Sequence, residues 1–502
     1  MSASTKASMA RARAAVDPAL DEAGIRAFEI AYSDLVCGRL RLDAGHYSED
    51  VTLADALLRL SGFEILPLTE LASRIFMMPL KAKMVYATGP ETGEAYLTQS
   101  QLLQAKPRAQ KWVHLDKMDH SDTWHVKQGW ILVTQSGTVG LTVMASKHLE
   151  TFVISPNPLR VITKKGILSG YVYAYLSSWV GRVLMVKDQF GSTVKHLLPF
   201  HLENLPVPLV SSVIQRSIHD VVVEAYRLRD DANQLLDQAD ALLYKELGLP
   251  RLDESAVDYY GAGDVKAFER HSSELNLRLD ARYSTPVVEL IEDNINRAAK
   301  DRGFGVKTLK EVTADIFIPG RFKRAYVEEK YGVPFLQGVH IVQFKPFDVK
   351  CISRSLTENL DSYILGPLWT LVTCSGTLGR TSFVGSDIEG WAATQHIMRV
   401  VPDTKVIDAG YLYSFLSSAY GYWQIFRNRY GAVVDEIAAE QVTDVLVPYP
   451  SQPLQKRIGG LVIKAYDNRA KANGLENQAI KLLEDTLVEA YQKRTGRGVA
   501  VR

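Results

Sequence analysis

Cysteine and long apolar runs are both scarce in this chain, and each shortage excludes a class of protein. The 502 residues include three cysteines, Cys37, Cys351 and Cys374, whose spacing fits neither a metal site nor a disulfide framework. We therefore expect a reducing, cytoplasmic environment. No run of about 18 apolar residues occurs, so the sequence predicts no membrane-spanning helix. The net charge of +1 does not by itself indicate a polyanionic partner.

Motifs for catalysis are missing as well. There is no Gly-x-x-x-x-Gly-Lys-Ser/Thr phosphate loop. There is no Asn/Asp-Pro-Pro-Tyr/Phe tetrapeptide of amino-methyltransferases and no S-adenosylmethionine-binding glycine loop after a strand. His120 and His125 have no second ligand pair, which favours a surface role. Ser192 and Lys195 match the Ser-x-x-Lys spacing of some acyl-transferring enzymes, but no companion motif accompanies them. We therefore predict a binding protein rather than an enzyme.

What the chain does contain is an internal repeat with a period of about 240 residues. The segment 134–140, Thr-Gln-Ser-Gly-Thr-Val-Gly, returns as Thr-Cys-Ser-Gly-Thr-Leu-Gly at 373–379. The segment 171–178, Tyr-Val-Tyr-Ala-Tyr-Leu-Ser-Ser, returns as Tyr-Leu-Tyr-Ser-Phe-Leu-Ser-Ser at 411–418. Solenoid repeats run to roughly 20–50 residues, so this longer period indicates a duplicated domain. A duplicated molecule is suited to a target with two halves.

The two copies differ in charge. Residues 101–200 contain 12 Lys and Arg against 5 Asp and Glu, whereas residues 341–440 contain 8 against 10. The basic first copy suits a face that contacts phosphates. The second copy would need local clusters for the same task, such as Arg321 to Arg324 or Arg427 and Arg429.

Each copy reads as a mixed α/β region followed by a long helix. Asp17-Pro18 predicts a helix start that runs through about Leu35. The apolar runs 130–133 and 151–154 predict strands, and residues 171–180 have helical spacing. The Ser-Gly-Thr turns allow two interpretations. They only shape the fold, or their hydroxyls contact phosphate.

The long helices are marked by Pro-x-Pro entries and heptads. Residues 205–208 and 447–450 supply the entries, and Ser212 with Gln215 forms a capping-box pattern. Apolar residues alternate gaps of three and four over about eight turns in both segments. Alanine recurs every seventh residue, which allows close helix packing. We expect the two helices to form an antiparallel pair along Ala225, Ala232, Ala239, Ala465, Ala472 and Ala479.

Two details of the helix pair each allow two interpretations. Each helix could instead pack on its own globular domain. Asn468 occupies the position of Leu228 in the seam, either to fix the register or as a water-bonded side chain at a loose spot.

The distance from Ile214 to Leu242 is roughly 42 Å at about 1.5 Å per residue. One turn of B-DNA is about 34–36 Å, so the pair would hold two domains about one duplex turn apart.

The order of these motifs resembles the specificity (S) subunits of type I restriction-modification systems. The resemblance is based on the paired Pro-x-Pro segments that lead through Gln215 and Gln455 into heptad helices ending in Leu-Leu pairs. The Ser-Gly-Thr-x-Gly turns and the segment 278–280 also look like the family. The resemblance covers about residues 26–490. The extra N-terminal tail and the near-neutral second domain depart from the family pattern.

The resemblance implies an α+β fold with two tandem mixed α/β target recognition domains related by pseudo-two-fold symmetry and joined by two long antiparallel coiled-coil helices. The segments expected are an N-terminal tail (1–25), domain 1 (26–208), a central helix (209–250), a linker (251–265), domain 2 (266–448), a C-terminal helix (449–493) and a tail (494–502). The first tail also allows a transit-peptide interpretation.

The resemblance further implies a non-catalytic subunit that reads a bipartite, asymmetric DNA site. Two modification subunits would bind S-adenosylmethionine and methylate adenine, while this chain would hold no cofactor and no metal. A restriction or translocase subunit could join, for restriction or for another methylation-linked phage defence. The alternative is a two-fold protein scaffold that brings partners together without reading DNA.

Base discrimination requires Arg, Lys, Asn, Gln or hydroxyl groups at base edges. For each of these side chains the alternative is a solvated surface position. The polar windows predict the following DNA-binding candidates: Lys106, Arg108, Lys111, Lys127, Ser136, Thr138, Lys147, Lys164, Lys165, Gln189, Ser192, Lys195, Arg321, Lys323, Arg324, Ser375, Thr377, Arg380, Arg427 and Arg429. Gln395 and His396 belong to the same windows.

Overall fold

The computed structural model describes residues 44–78, 83–119, 123–191, 193–252 and 279–496, together with residues 269, 271 and 498. The expected helix from Asp17 to Leu35, the N-terminal tail and most of the linker 251–265 lie outside these residues. No helix in the described part combines the length and the apolar character needed to cross a bilayer.

The first copy combines short strands with helices. A two-stranded sheet pairs β1 with β10, and two four-stranded sheets have the orders β2-β9-β6-β7 and β3-β5-β4-β8. Its elements are α1 (Glu49–Ser61), β1 (Glu64–Pro67), α2 (Leu68–Leu71), β2 (Ala72–Phe76), β3 (Tyr86–Ala87), β4 (Glu94–Leu97), β5 (Lys111–Val113), β6 (Ile131–Val133), β7 (Thr142–Met144), β8 (Val153–Ile154), β9 (Leu159–Thr163), α3 (Ser169–Ser177), α4 (Trp179–Val186), α5 (Pro199–Glu203), β10 (Pro206–Leu209) and α6 (Ser212–Leu247).

The second copy repeats this topology. Strand β11 pairs with β20, and the four-stranded sheets have the orders β12-β19-β16-β17 and β13-β15-β14-β18. The expected mixture of helix and strand is therefore confirmed. Its elements are α7 (Pro286–Arg302), β11 (Gly305–Thr308), α8 (Leu309–Val312), β12 (Thr313–Phe317), β13 (Tyr326–Val327), β14 (Gly332–Leu336), β15 (Lys350–Ser353), β16 (Thr370–Thr373), β17 (Thr381–Phe383), β18 (Ala392–Ala393), β19 (Ile397–Pro402), α9 (Ala409–Ser417), α10 (Ala419–Phe426), β20 (Leu446–Tyr449) and α11 (Gln452–Thr495).

The predicted helix over residues 171–180 divides into α3 and α4. Ser178 has an extended backbone and its side chain accepts a hydrogen bond from Gly181 N, so it ends one helix and caps the next. Ser418 does the same between α9 and α10. A hydroxyl that caps a helix competes with continuation of the helix through it. The double serine that recurs in both copies was the signal for this break.

The tyrosine-rich helices explain why the Pro-x-Pro segments recur with them. The Tyr171 hydroxyl donates to the Pro208 carbonyl, and the Tyr411 hydroxyl donates to the Pro448 carbonyl at 2.8 Å. All four residues belong to motifs that the repeat preserves. Buried hydroxyls require such partners, so each pair of motifs forms one structural unit.

The prediction that Ser212 and Gln215 form a capping box at the start of α6 is wrong. Ser211 is the N-cap, and its hydroxyl accepts from Ile214 N at 3.5 Å. Gln215 donates instead to the Val210 carbonyl at 2.7 Å. The predicted segment 209–250 is longer than α6 because residues 206–209 form strand β10 and Gly248 ends the helix in a left-handed conformation. Helix α11 spans 452–495, against a predicted 449–493.

Helices α6 and α11 cross near their middles in opposite directions. Arg229 Nη2 donates to Asn473 Oδ1 at 2.8 Å, and Arg469 Nη2 donates to Asn233 Oδ1 at 3.0 Å. These two bonds exchange when residue numbers shift by 240, so the repeat in the sequence corresponds to a repeat in the contacts. The bonds hold the register of the two helices.

The six alanines of the predicted seam are all buried. Ala225 and Ala472 pack together with Leu228, where the helices face each other. The outer alanines also pack on the globular parts: Ala232 and Ala239 join the core of the second copy. That core belongs to the other copy, so these two alanines of α6 do not pack on their own globular domain, whereas Ala465 of α11 does. Asn468 is half-buried.

Each core is completed by the helix of the other copy. Leu483 and Leu487 of α11 are fully buried in the core of the first copy, and Leu243 and Leu247 of α6 are fully buried in the core of the second. This exchange couples the two halves more strongly than a linker would, because neither core is filled by its own copy alone.

The copies also touch directly. Ala105 N donates to the Val342 carbonyl at 2.8 Å, and Phe344 N donates to the Leu103 carbonyl at 3.0 Å. These bonds again exchange under the internal repeat. Phe344 packs into a small apolar cluster of the first copy. The contact fixes the two globular parts against each other in addition to the helices.

Candidate nucleic-acid interface

The Ser-Gly-Thr turns join two antiparallel strands in each copy, β6 with β7 and β16 with β17. Gly137 and Gly140 have φ of +74° and +78°, a conformation that favours glycine. Thr134 Oγ1 donates to the Thr138 carbonyl at 2.6 Å and accepts from Leu141 N at 2.9 Å. Thr134 therefore shapes the turn, while the Thr138 side chain is exposed.

Each turn contacts a loop that precedes the Pro-x-Pro segment. In the first copy Gly137 N donates to the Lys195 carbonyl at 3.2 Å, and Ser136 forms a β-bridge with His196. In the second copy Gly376 N donates to the Asp435 carbonyl at 3.0 Å, and Ser375 bridges Glu436. We name these places the first junction (134–140 with 189–191 and 193–197) and the second junction (373–379 with 429–437).

The second junction borders an open cleft of about 440 Å³. Among the predicted residues, Arg321 and Ser375 line it, with Gln395 and His396 of the same polar windows. Glu436 contributes a carboxylate. The cleft thus contains hydrogen-bond donors and acceptors from four separate segments, which is the mixture that base edges require.

A network on one side of the cleft sets the orientation of its polar groups. Arg324 Nη2 lies 3.4 Å from Gln395 Oε1, and Gln395 Nε2 lies 3.1 Å from His396 Nε2. Burial lowers the pKa of His396, and Arg324 lowers it further. His396 is therefore neutral near pH 7 and offers one donor and one acceptor.

A buried arginine supports the loop that carries Gln395 and His396. Arg399 is fully buried in β19, and its guanidinium donates to the carbonyls of Tyr363, Ala393, Thr394 and Ile397. Burial lowers its pKa to about 10, so it stays charged at neutral pH. Its bonds fix both ends of the loop, although the side chain does not itself reach the cleft.

Arg160 is the equivalent residue in the first copy. It is also fully buried, and it donates to the carbonyls of Pro158 at 3.0 Å, Ser155 at 3.0 Å and Ile154 at 3.1 Å. The duplication of a costly buried charge indicates that the loop after β8 or β18 is a feature that both copies preserve.

The first junction carries a different set of side chains on the same frame. His196 Nδ1 lies 3.2 Å from Gln135 Oε1. The Gln99 side chain fixes the start of the turn, since its amide oxygen accepts from Gln135 N and its amide nitrogen donates to the Ser136 carbonyl, both at 2.9 Å. Gln189 and Lys195 border a separate pocket of about 590 Å³ beside this loop.

Four of the predicted DNA-binding residues have carboxylate partners in the described part of the chain, and one of them, Arg321, lies 4.0 Å from Glu436. Lys106 lies 2.6 Å from Asp237 of α6, and burial lowers its pKa. Lys164 lies 3.5 Å from Glu70. Arg427 lies 2.8 Å from Glu292. These residues lie at different places on the molecule, so the structure does not bring the predicted set together in one patch.

The remaining predicted residues divide by exposure, and Ser192 lies outside the described residues. Arg380, Arg429 and Gln189 are half-buried, as are Ser136 and Ser375. The exposed members are Arg108, Lys111, Lys127, Thr138, Lys147, Lys165, Lys195, Arg321, Lys323, Arg324 and Thr377.

Sequence reasoning missed Glu436, His196 and the two buried arginines. Comparison of the two copies at an offset of 240 residues would have shown that His196 aligns with Glu436. Within the described residues, no group of three or more His, Cys, Asp or Glu side chains is placed to hold a metal ion.

Solved structures to which this chain is similar include specificity subunits of type I restriction-modification systems. The S subunit from M. genitalium is 14% identical, with 86% of this chain and 96% of that chain covered and a TM-score of 0.29. The HsdS subunit from Thermoanaerobacter tengcongensis is 13% identical, with coverages of 86% and 97% and a TM-score of 0.26. A structure from a study of complex assembly and conformational transition of the type I system has the same identity and coverages and a TM-score of 0.27.

No family model matches the chain. No curated protein matches it either.

Proposed function

We propose that this chain is a non-catalytic DNA-specificity subunit that reads a bipartite, asymmetric site and directs an adenine methyltransferase to it. Each copy would act as a target recognition domain for one half-site. The observation that carries this proposal is the duplicated junction. One backbone frame, with the same bridges and bonds, presents different polar side chains in the two copies.

The helix pair supports a fixed spacing between the half-sites. Helix α6 has 36 residues, or roughly 54 Å at about 1.5 Å per residue, which exceeds one duplex turn of about 34–36 Å. The direct contact at Ala105 and Phe344 adds a second constraint on spacing. Antiparallel coiled-coil helices related by pseudo-two-fold symmetry would also offer two equivalent docking places for modification subunits.

The proposed partners are therefore double-stranded DNA and two methyltransferase subunits that carry S-adenosylmethionine. A restriction or translocase subunit would join the same assembly if the system restricts DNA. Target methylation tests the proposal. Deletion of the gene should remove one bipartite adenine-methylated motif from the host methylome, and complementation should restore it. A methylome that keeps every such motif after deletion would refute the proposal.

The basic residues near the second junction should contribute affinity without sequence preference. Lys323 is exposed, two residues from Arg321. Lys323→Ala is expected to weaken binding equally for all DNA sequences and to reduce the log–log salt slope by about 1. The measurement is binding of the reconstituted complex to target and non-target duplexes over a salt series.

Lys405→Ala is the matched control for this series. Lys405 is exposed beyond the opposite end of β19 from His396. Its substitution should leave the slope unchanged. Equal salt slopes for the parent and Lys323→Ala would show that Lys323 does not contact DNA phosphates.

The scaffold alternative predicts a different result in the same assay. A chain that only brings proteins together would assemble the complex, but the complex would bind all duplexes alike or none. The difference between the two junctions favours DNA reading, because a symmetric scaffold has no need for different side chains on equivalent frames.

A further inference from the structure

Glu436 and His196 occupy equivalent positions in the two junctions. His196 pairs with Phe190 through two backbone bonds, of 2.8 and 3.2 Å, and Glu436 pairs with Tyr430 through two bonds, of 2.7 and 2.9 Å. Each also bridges the serine of the Ser-Gly-Thr turn. The backbone pairing is the same in both copies. The difference between the copies at this position therefore lies in the side chain.

The side chains at these positions are basic in the first copy and acidic in the second. The first copy has Lys195 and His196, whereas the second has Asp435 and Glu436. Asp435 lies 3.2 Å from Arg282 and therefore has a cation partner within the chain. Glu436 lines the cleft with 35% of its side chain exposed. A carboxylate on a surface that approaches phosphates is unfavourable unless it serves a donor there.

The contacts of Glu436 within the chain are long. Its Oε1 atom lies 3.5 Å from Ser375 Oγ and 4.0 Å from Arg321 Nη2. Arg321 is 81% exposed, so this ion pair is open to solvent and contributes little to stability. The carboxylate therefore keeps capacity for a further donor from outside the chain.

Resting on the proposed function, we propose that Glu436 is a specificity-determining residue that selects cytosine in the half-site read by the second copy. A carboxylate only accepts hydrogen bonds, and in the major groove the cytosine N4 amino group is the donor that Glu recognises. Guanine presents O6 and N7 acceptors there, which the carboxylate would repel. The first copy has no acid at the equivalent place and does not share this preference.

The test is selection of randomised target duplexes by the full complex of this chain with its modification subunits. Glu436→Gln places an amide that binds adenine in bidentate fashion, so one position of one half-site should change from cytosine to adenine by about tenfold or more. Glu436→His, the residue of the first copy, should abolish the cytosine preference at that position. Glu358→Gln, an exposed acid that does not line the cleft, is the control and should select the parental motif.

The outcomes are distinguishable. A parental motif that persists in both Glu436 variants overturns the inference and leaves the proposed function standing. Changes in both half-sites would show that Glu436 acts through assembly, which also overturns the inference. A parental complex that selects no motif refutes the proposed function itself. Thermal melting of each variant checks folding, and the long contacts of Glu436 predict a melting temperature close to that of the parent.

Discussion

Glu476→Leu should lower the free energy of unfolding by about 3–5 kcal/mol, because it leaves a buried arginine without its carboxylate. Glu476 is almost fully buried between the long helices. Its Oε2 atom lies 2.7 Å from Arg229 Nη1, and its Oε1 atom lies 2.8 Å from Lys345 Nζ. The first copy has Leu236 at the equivalent position, so leucine fits a helix of this kind. The loss is therefore expected from charge rather than from shape.

Two variants serve as controls for that measurement. Asp485→Ala removes an exposed pair with Lys481 on the same helix and should cost less than about 1 kcal/mol. Arg229→Met combined with Glu476→Leu removes both buried charges and should recover much of the loss. Chemical denaturation of all variants gives the comparison. A Glu476→Leu midpoint equal to that of Asp485→Ala would contradict the predicted role of the ion pair.

The pH dependence supplies a second readout of the same group. Burial alone would raise the pKa of Glu476, but Arg229 and Lys345 lower it from 4.5 to about 2. A lowered pKa means that the stabilisation is complete above about pH 4.5 and is lost as the pH falls toward 2. The parent should therefore lose more stability than Glu476→Leu over this range.

The helices were predictable from the sequence because their signals are local. Heptads and Pro-x-Pro entries lie within or directly before the helices that they predict, and the strands around the Ser-Gly-Thr turns are equally local. Glu476 was not predictable. It lies beside Leu475 in the heptad pattern, where a charged residue normally faces solvent. Its burial depends on Arg229 and Lys345, more than 100 residues away.

The candidate site was predictable only in part for the same reason. Arg321 and Ser375 were identified by residue type, but their convergence with His396 and Glu436 is set by tertiary packing. Lys106 shows the converse. It belongs to the basic window 101–200, yet the structure pairs it with Asp237. Charge density in the sequence does not identify which cations of the first copy face outward.

Internal duplication provides a control that few proteins offer. The two copies share the bridges and turn glycines of the junctions and a buried arginine outside them, so a substitution in one copy can be compared with the same substitution in the other. Effects on the frame should appear in both copies alike. Effects on recognition should remain within one half-site, because the polar side chains differ.

Arg399→Met should both destabilise the second copy and remove its sequence discrimination. The substitution leaves four buried carbonyls without their donor, at about 1–3 kcal/mol each before relaxation, so we expect a loss of about 3–5 kcal/mol. The loop that carries Gln395 and His396 would lose its support. Duplex selection should then show one half-site degraded while the other stays intact.

Arg160→Met is the reciprocal variant, and it should degrade the other half-site. Arg354→Met, which alters an exposed arginine of the second copy, should affect neither stability nor selection. Denaturation midpoints separate general unfolding from loss of reading, since a folded Arg399→Met complex should still methylate through its intact half-site with relaxed specificity. If the Arg399 and Arg160 variants degrade the same half-site, the two copies do not read separate halves, because each arginine supports the loop of its own copy alone.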